Sequence, residues 1–207
     1  MTTVRPLYTA PALLVAGILL ATPTLANAAS TFASYNTTTT GVLNGVGFTI
    51  SGLDTASPTV KTGSFTGTNY NDAGSQSYVD FNQDFAPTFT ITFDSAVSNL
   101  EFYAYYLRGS NGDGYDSYTF SESFSVAAGM TGLPVSGNTV DTSSTQFVNG
   151  ILSFAGPVTS LTITTTGDTG EGFAGFTMAQ GAGSPAVPGI GGVAALAAVG
   201  CGRRRRR

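Results

Sequence analysis

The chain reads as an all-β protein, a single antiparallel β-sandwich of jelly-roll type, and three observations lead there. Its middle alternates apolar and hydroxylic side chains, as in Thr88-Phe-Thr-Ile-Thr-Phe93, with Phe89, Ile91 and Phe93 on one face and three threonines on the other. Turn residues interrupt such runs at short, regular intervals, the pattern of an all-β domain. The 27 glycines and abundant Ser and Thr leave no amphipathic helical run. Roughly seven to ten short strands are expected, with a closed barrel as the alternative architecture.

The elements follow in order. Val42-Leu-Asn44-Gly45-Val-Gly-Phe48 reads as a hairpin around Asn44-Gly45. The Thr88–Phe93 run is a strand whose threonines suit its wet face. Leu100 to Leu107 carries Leu100, Phe102, Ala104 and Tyr106 on one side and Tyr103, Tyr105 and Leu107 on the other. A strand apolar on both faces belongs in the centre of a sheet, covered twice, or presents a binding face. Tyr118, Phe120 and Phe124 alternate again, as do Leu161 and Ile163 within Val158 to Thr165. Asn149-Gly150, between the apolar arms of Thr145 to Phe154, predicts a second hairpin. Gly156-Pro157 and Gly167-Asp168-Thr169-Gly170 predict further turns.

Both ends differ from this middle. Arg5, the apolar run Ala12 to Ala21, Pro23 and the triplet Ala26-Asn27-Ala28 follow the order of a secretory signal peptide, cleaved after Ala28 or Ala26. Such a segment implies Sec-type export machinery and a signal peptidase as partners. The predicted organisation is therefore a signal peptide at 1–28, a β domain at 29–180, a Gly/Ser/Pro linker at 181–187 and a tail at 188–207. In the tail, an Ala/Leu-rich stretch follows Val187-Pro188-Gly189 and ends in Arg203, Arg204, Arg205, Arg206 and Arg207. Five guanidiniums hold that end on the cytoplasmic side of a bilayer. As a helix, Ile190 to Gly202 rises about 20 Å, short of the roughly 30 Å hydrocarbon layer. It is suited to a transient stop rather than a permanent anchor.

This three-part tail resembles the carboxy-terminal sorting signal of PEP-CTERM proteins, with Pro188-Gly189-Ile190 where the family has Pro-Glu-Pro. The resemblance implies an exosortase, an integral-membrane cysteine protease, as the partner that removes the tail at the surface. The body also resembles the diverse β-rich domains of such proteins, which share no single activity.

Charge narrows the partners further. Of eight bases only Lys61 and Arg108 lie in the body, against all twelve acids, giving 2 − 12 = −10. So acidic a domain repels phosphate backbones, and no nucleic-acid partner is expected. The chain has no His, and its one Cys, Cys201, lies in the tail. Imidazole- and thiolate-based catalysis and metal ligation are thereby absent from the body. A carboxylate pair is the chemistry that remains, with Glu101, Glu122 and Glu171 among its acids.

Two patterns could support binding. Asn111-Gly-Asp113-Gly-Tyr-Asp116 spaces three oxygen ligands in a glycine-rich loop, read first as a plain turn and second as a calcium site. No other cofactor is expected. Tyr103, Tyr105 and Tyr115, within a cluster that includes Tyr106 and Tyr118, supply rings for a glycan platform or for a core. The sequence thus predicts an exported structural protein of a bacterial surface or matrix. A carbohydrate-binding module that contacts exopolysaccharide is the second reading, and a carboxylate-pair glycoside hydrolase the third.

Overall fold

The computed structural model describes residues 29–53, 58–82, 88–109, 114–167 and 173–182, and among these no helix occurs. The first strands are β1 (Thr31–Phe32), β2 (Ser34–Tyr35), β3 (Thr40–Leu43), β4 (Val46–Ser51), β5 (Thr59–Phe65) and β6 (Gly74–Asn82). Next come β7 (Thr88–Val97), β8 (Leu100–Arg108), β9 (Ser117–Phe120), β10 (Ser125–Gly129) and β11 (Val135–Ser136). The last are β12 (Thr139–Asp141), β13 (Phe147–Phe154), β14 (Val158–Thr166) and β15 (Phe173–Gln180).

They form two antiparallel sheets. Sheet A has the order β10-β13-β8-β15-β6-β5, with β1 added to β15, and sheet B has the order β11-β12-β9-β14-β7-β4-β3-β2. From β6 onward the chain changes sheet at every connection except β11–β12. Consecutive strands therefore bury their apolar faces against each other across the sandwich rather than side by side.

The period-two pattern decides which side chains meet between the sheets. Phe81, Phe102, Phe154 and Phe176 of sheet A face Phe89 and Phe120 of sheet B, all at most 2% exposed. Phe176 stacks on Phe89 with centroids 5.3 Å apart, and Phe102 meets Phe120 edge-on at 5.4 Å. Each buried Phe stabilises the fold by about 1.5–3 kcal/mol relative to exposure. The outer face of sheet B is hydroxylic. Thr90 lies opposite Thr162, and Thr88, Thr164, Thr119 and Thr139 form one row across four strands.

Two local readings of the sequence are corrected. Asn44-Gly45 does turn the β3–β4 hairpin, with φ of 47° and 83° as a two-residue turn requires. Asn149-Gly150 does not turn: both residues lie inside the continuous strand β13. Gly150 is needed for close approach instead, because a Cβ there would stand 2.6 Å from the Ala128 carbonyl of β10. The second correction concerns β8. Its alternation holds to Ala104 and then slips, so Leu107 joins the inner core while Tyr106 points out, 49% exposed. A bulge in β8 causes the slip: Tyr105 and Tyr106 together stand opposite Asn149, between the Leu107–Val148 and Ala104–Gly150 pairs.

Candidate functional site

Strand β8 is central in sheet A and apolar on both faces, so its outer side needs cover as well. Phe65, Tyr70, Tyr78, Tyr103, Ile151 and Ala179 form a second buried cluster there. The cover comes from the β5–β6 ribbon. Residues 79–82 of β6 pair with β15, while residues 74–80 pair with β5 and leave the far end of β15 to β1. Although β15 and β6 separate β5 from β8 in strand order, the Phe65 ring reaches Tyr105 of β8 at 4.8 Å. The ribbon therefore folds over the outer face. Gly175 of β15 permits this, since a Cβ there would stand 2.5 Å from Cδ2 of Tyr78. Across that gap the Tyr78 ring meets Tyr105, centroids 4.8 Å apart.

The bulge sets the next ring. Val148 pairs with Leu107 and Gly150 with Ala104, so Asn149 alone faces both Tyr105 and Tyr106. Tyr106 takes a left-handed backbone, φ 51°, which costs a side-chain-bearing residue roughly 1–2 kcal/mol. Asn149 holds it there: its Oδ1 accepts from the Tyr106 N–H at 2.9 Å and from the Tyr70 hydroxyl at 2.6 Å. The Tyr70 hydroxyl also lies 2.9 Å from the Ala104 carbonyl. As a result Tyr106 stands edge-on to Tyr105 at 4.8 Å and to Phe147 at 5.6 Å.

These rings border an open groove of about 280 Å³, lined by Tyr78, Tyr105, Tyr106, Phe147, Lys61 and Asp80. Phe147 is 37% exposed. Lys61 and Asp80 form an ion pair at one side, the ammonium half exposed and the carboxylate buried. The hydrogen bond to Asp80 raises the Lys61 pKa above its ordinary value. Burial raises the pKa values of Tyr78 and Tyr105. At working pH the groove thus offers neutral phenols beside a charged pair whose net charge is zero. That combination can hold a ligand by ring contact and fix its orientation by hydrogen bonds.

The residues singled out from sequence are distributed unevenly around this site. Tyr105 lines the groove. Tyr103 is buried in the outer cluster, with its hydroxyl on Glu101 Oε2 at 3.0 Å, and Tyr115 is fully buried in the inner core. Neither ring offers an exposed platform, because Tyr103 is buried beneath the ribbon and Tyr115 between the sheets. Ser30 also donates to Glu101 Oε2, at 3.0 Å. Glu101 lies on β8 of sheet A, whereas Glu122 lies outside the strands, in the connection between β9 and β10. Glu171 lies outside the described residues, as do Asn111 and Asp113. Asp116 is exposed, its N–H donating to the Thr166 carbonyl at 2.8 Å. Among the described residues no three acids gather to hold a metal. Ala26, Ala28, Val187, Pro188, Gly189 and Arg203 to Arg207 also lie outside them, and no described helix is long and apolar enough to cross a membrane.

Sequence reasoning missed Tyr78, Phe147, Lys61 and Asp80, and grouped Tyr106 with the core side of its strand. A signal for the ion pair existed: on paired strands, Lys61 lies opposite Tyr78 and hence diagonal to Asp80. No family model, no curated protein and no solved structure matches the chain.

Proposed function

We propose that this is an exported surface protein whose β-sandwich binds polysaccharide through the groove on sheet A. The signal peptide and the PEP-CTERM-like tail deliver it, with the tail removed by an exosortase-like protease. One observation carries the binding reading: a strained, bulged backbone aims Tyr106 outward beside Phe147. Non-glycine residues held in sparsely populated conformations cluster at ligand sites, and bulges re-aim side chains there. Exposed rings next to a polar pair suit the apolar face and the hydroxyls of a sugar.

A glycan array probed with the wild-type protein tests this. Binding is expected, falling at least tenfold in Tyr106→Ala and in Phe147→Ala and unchanged in Thr90→Ala on sheet B. An array without any bound glycan, or equal binding by the ring variants, contradicts the proposal. Delivery is tested separately by mass spectrometry of the surface form, which should lack Arg203 to Arg207. Finding that arginine block intact there contradicts processing.

A further inference from the structure

We infer that the groove selects neutral hexopyranose chains and rejects those bearing uronic acids, with Lys61 and Asp80 as the specificity-determining pair; this rests on the glycan reading above. The rings of Tyr106 and Phe147 offer their faces and edges to the apolar side of a pyranose. Sugars with equatorial hydroxyls present the widest such side and carry their hydroxyls around the rim. On the groove wall that rim meets Lys61 and Asp80.

The Asp80 carboxylate is 6% exposed and the Lys61 ammonium 50% exposed. Each hydroxyl of a neutral sugar can donate to a carboxylate and accept from an ammonium, so it joins the pair without separating it. A uronate cannot do the same. If it draws the Lys61 ammonium away from Asp80 it leaves a buried carboxylate uncompensated, which is strongly unfavourable. If it shares the ammonium and leaves the pair intact, its own charge lies beside the Asp80 carboxylate, a like-charge contact that a neutral hydroxyl does not make. The wider field acts in the same direction. The body carries two bases against twelve acids, −10 net, and repels a polyanion before contact.

The two walls differ in what they decide. The ring wall sets whether a sugar binds, and the ion pair sets which charge class is admitted. Replacing Asp80 by Asn keeps the side chain's shape, removes the charge that occupies Lys61, and turns that wall into a cation site. Its effect on preference is therefore opposite in sign for the two sugar classes.

The test is calorimetric titration of the full-length chain with cellohexaose and with the same hexamer oxidised at C6 to uronates, at matched ionic strength. Cellohexaose should bind at least tenfold more tightly, and Asp80→Asn should narrow or reverse that ratio. Equal or tighter binding of the oxidised hexamer by the wild type overturns the selectivity while leaving the glycan reading standing. The wild-type comparison decides even if Asp80→Asn does not fold. Binding of neither hexamer overturns the neutral-sugar inference, and the glycan array then separates that failure from failure of the glycan reading itself.

Discussion

On the outer face of sheet B, Thr90 and Thr162 meet across β7 and β14 with hydroxyls 2.9 Å apart, and threonine rows continue to β9 and β12. On the outer face of sheet A, Tyr78, Tyr103 and Tyr105 surround Phe65, which is completely buried. Both faces come from antiparallel strands of the same sandwich, and either could be left to water. Sheet B is: its hydroxyls satisfy one another and solvent. Sheet A is not, since it spends a folded-over ribbon, a bulge and a left-handed Tyr106 on its outer surface. Such devices add nothing that a threonine face would not supply to solubility. Register shifts occur in both sheets, as between Val158 and Ser160 of β14, so the proposed binding surface rests on the ribbon and the left-handed Tyr106.

The contrast can be broken most severely at Phe65. Phe65→Ala should destabilise the protein by about 3–5 kcal/mol in urea unfolding, the cost of emptying a buried aromatic site. Thr90→Ala on the other face should stay within about 0.5 kcal/mol. Similar values for the two would mean that the outer aromatic layer is ornamental.

Alkaline pH should weaken the same layer. Burial raises the pKa values of Tyr70, Tyr78, Tyr103 and Tyr105 above 10.0. Between the unfolded and folded values the native state keeps protons that the unfolded state has lost, so stability falls as pH rises past about 10. Lys61, raised above 10.5 mainly by its hydrogen bond to Asp80, acts in the same direction. Its contribution is complete below that pH and fades above it. Thermal melts between about pH 9 and pH 11 should show a declining midpoint, less steep in Tyr103→Phe. A flat profile would contradict the burial of these phenols.

Asn149 sharpens the comparison at the bulge. Asn149→Ala removes the acceptor for both the Tyr106 N–H and the Tyr70 hydroxyl. A loss of about 1–1.5 kcal/mol is expected, since the Tyr106 N–H is exposed to water and the Tyr70 hydroxyl keeps the Ala104 carbonyl. A smaller effect isolates the backbone itself. Tyr106→Gly should be about 1 kcal/mol more stable than Tyr106→Ala, because only glycine occupies the left-handed region without cost. Equal stability of the two variants would remove strain from the account.

How much of this was legible in the sequence depends on what each strand faces. β7, β9 and β14 border water on one side, so their alternation of aromatic or aliphatic residues with Thr was readable directly. β15 is buried on both faces, and Ala174, Gly175, Thr177 and Ala179 give it no period to read. β5 is exposed along most of its length, and β1, β2 and β11 have two residues each, too few for any pattern. Asn149-Gly150 misled because the pair serves a bulge and a close approach, uses that draw on the same residue types as a turn. The groove was half visible. Leu100 to Leu107 announced a strand apolar on both sides, but which tyrosine was buried depended on a bulge within β8, where Tyr105 and Tyr106 together face Asn149. The ion pair follows from the β5–β6 register, with Lys61 diagonal to Asp80, but the folding of that ribbon over the sheet is a tertiary event with no local signal.

The most direct test of a one-sided functional surface is an NMR titration of the protein with cellohexaose, following backbone amides on both outer faces. The account predicts shift changes at Lys61, Tyr78, Tyr105, Tyr106 and Phe147, with Thr90, Thr119, Thr162 and Thr164 unmoved. Changes centred on the threonine rows, or none on either face, would contradict it.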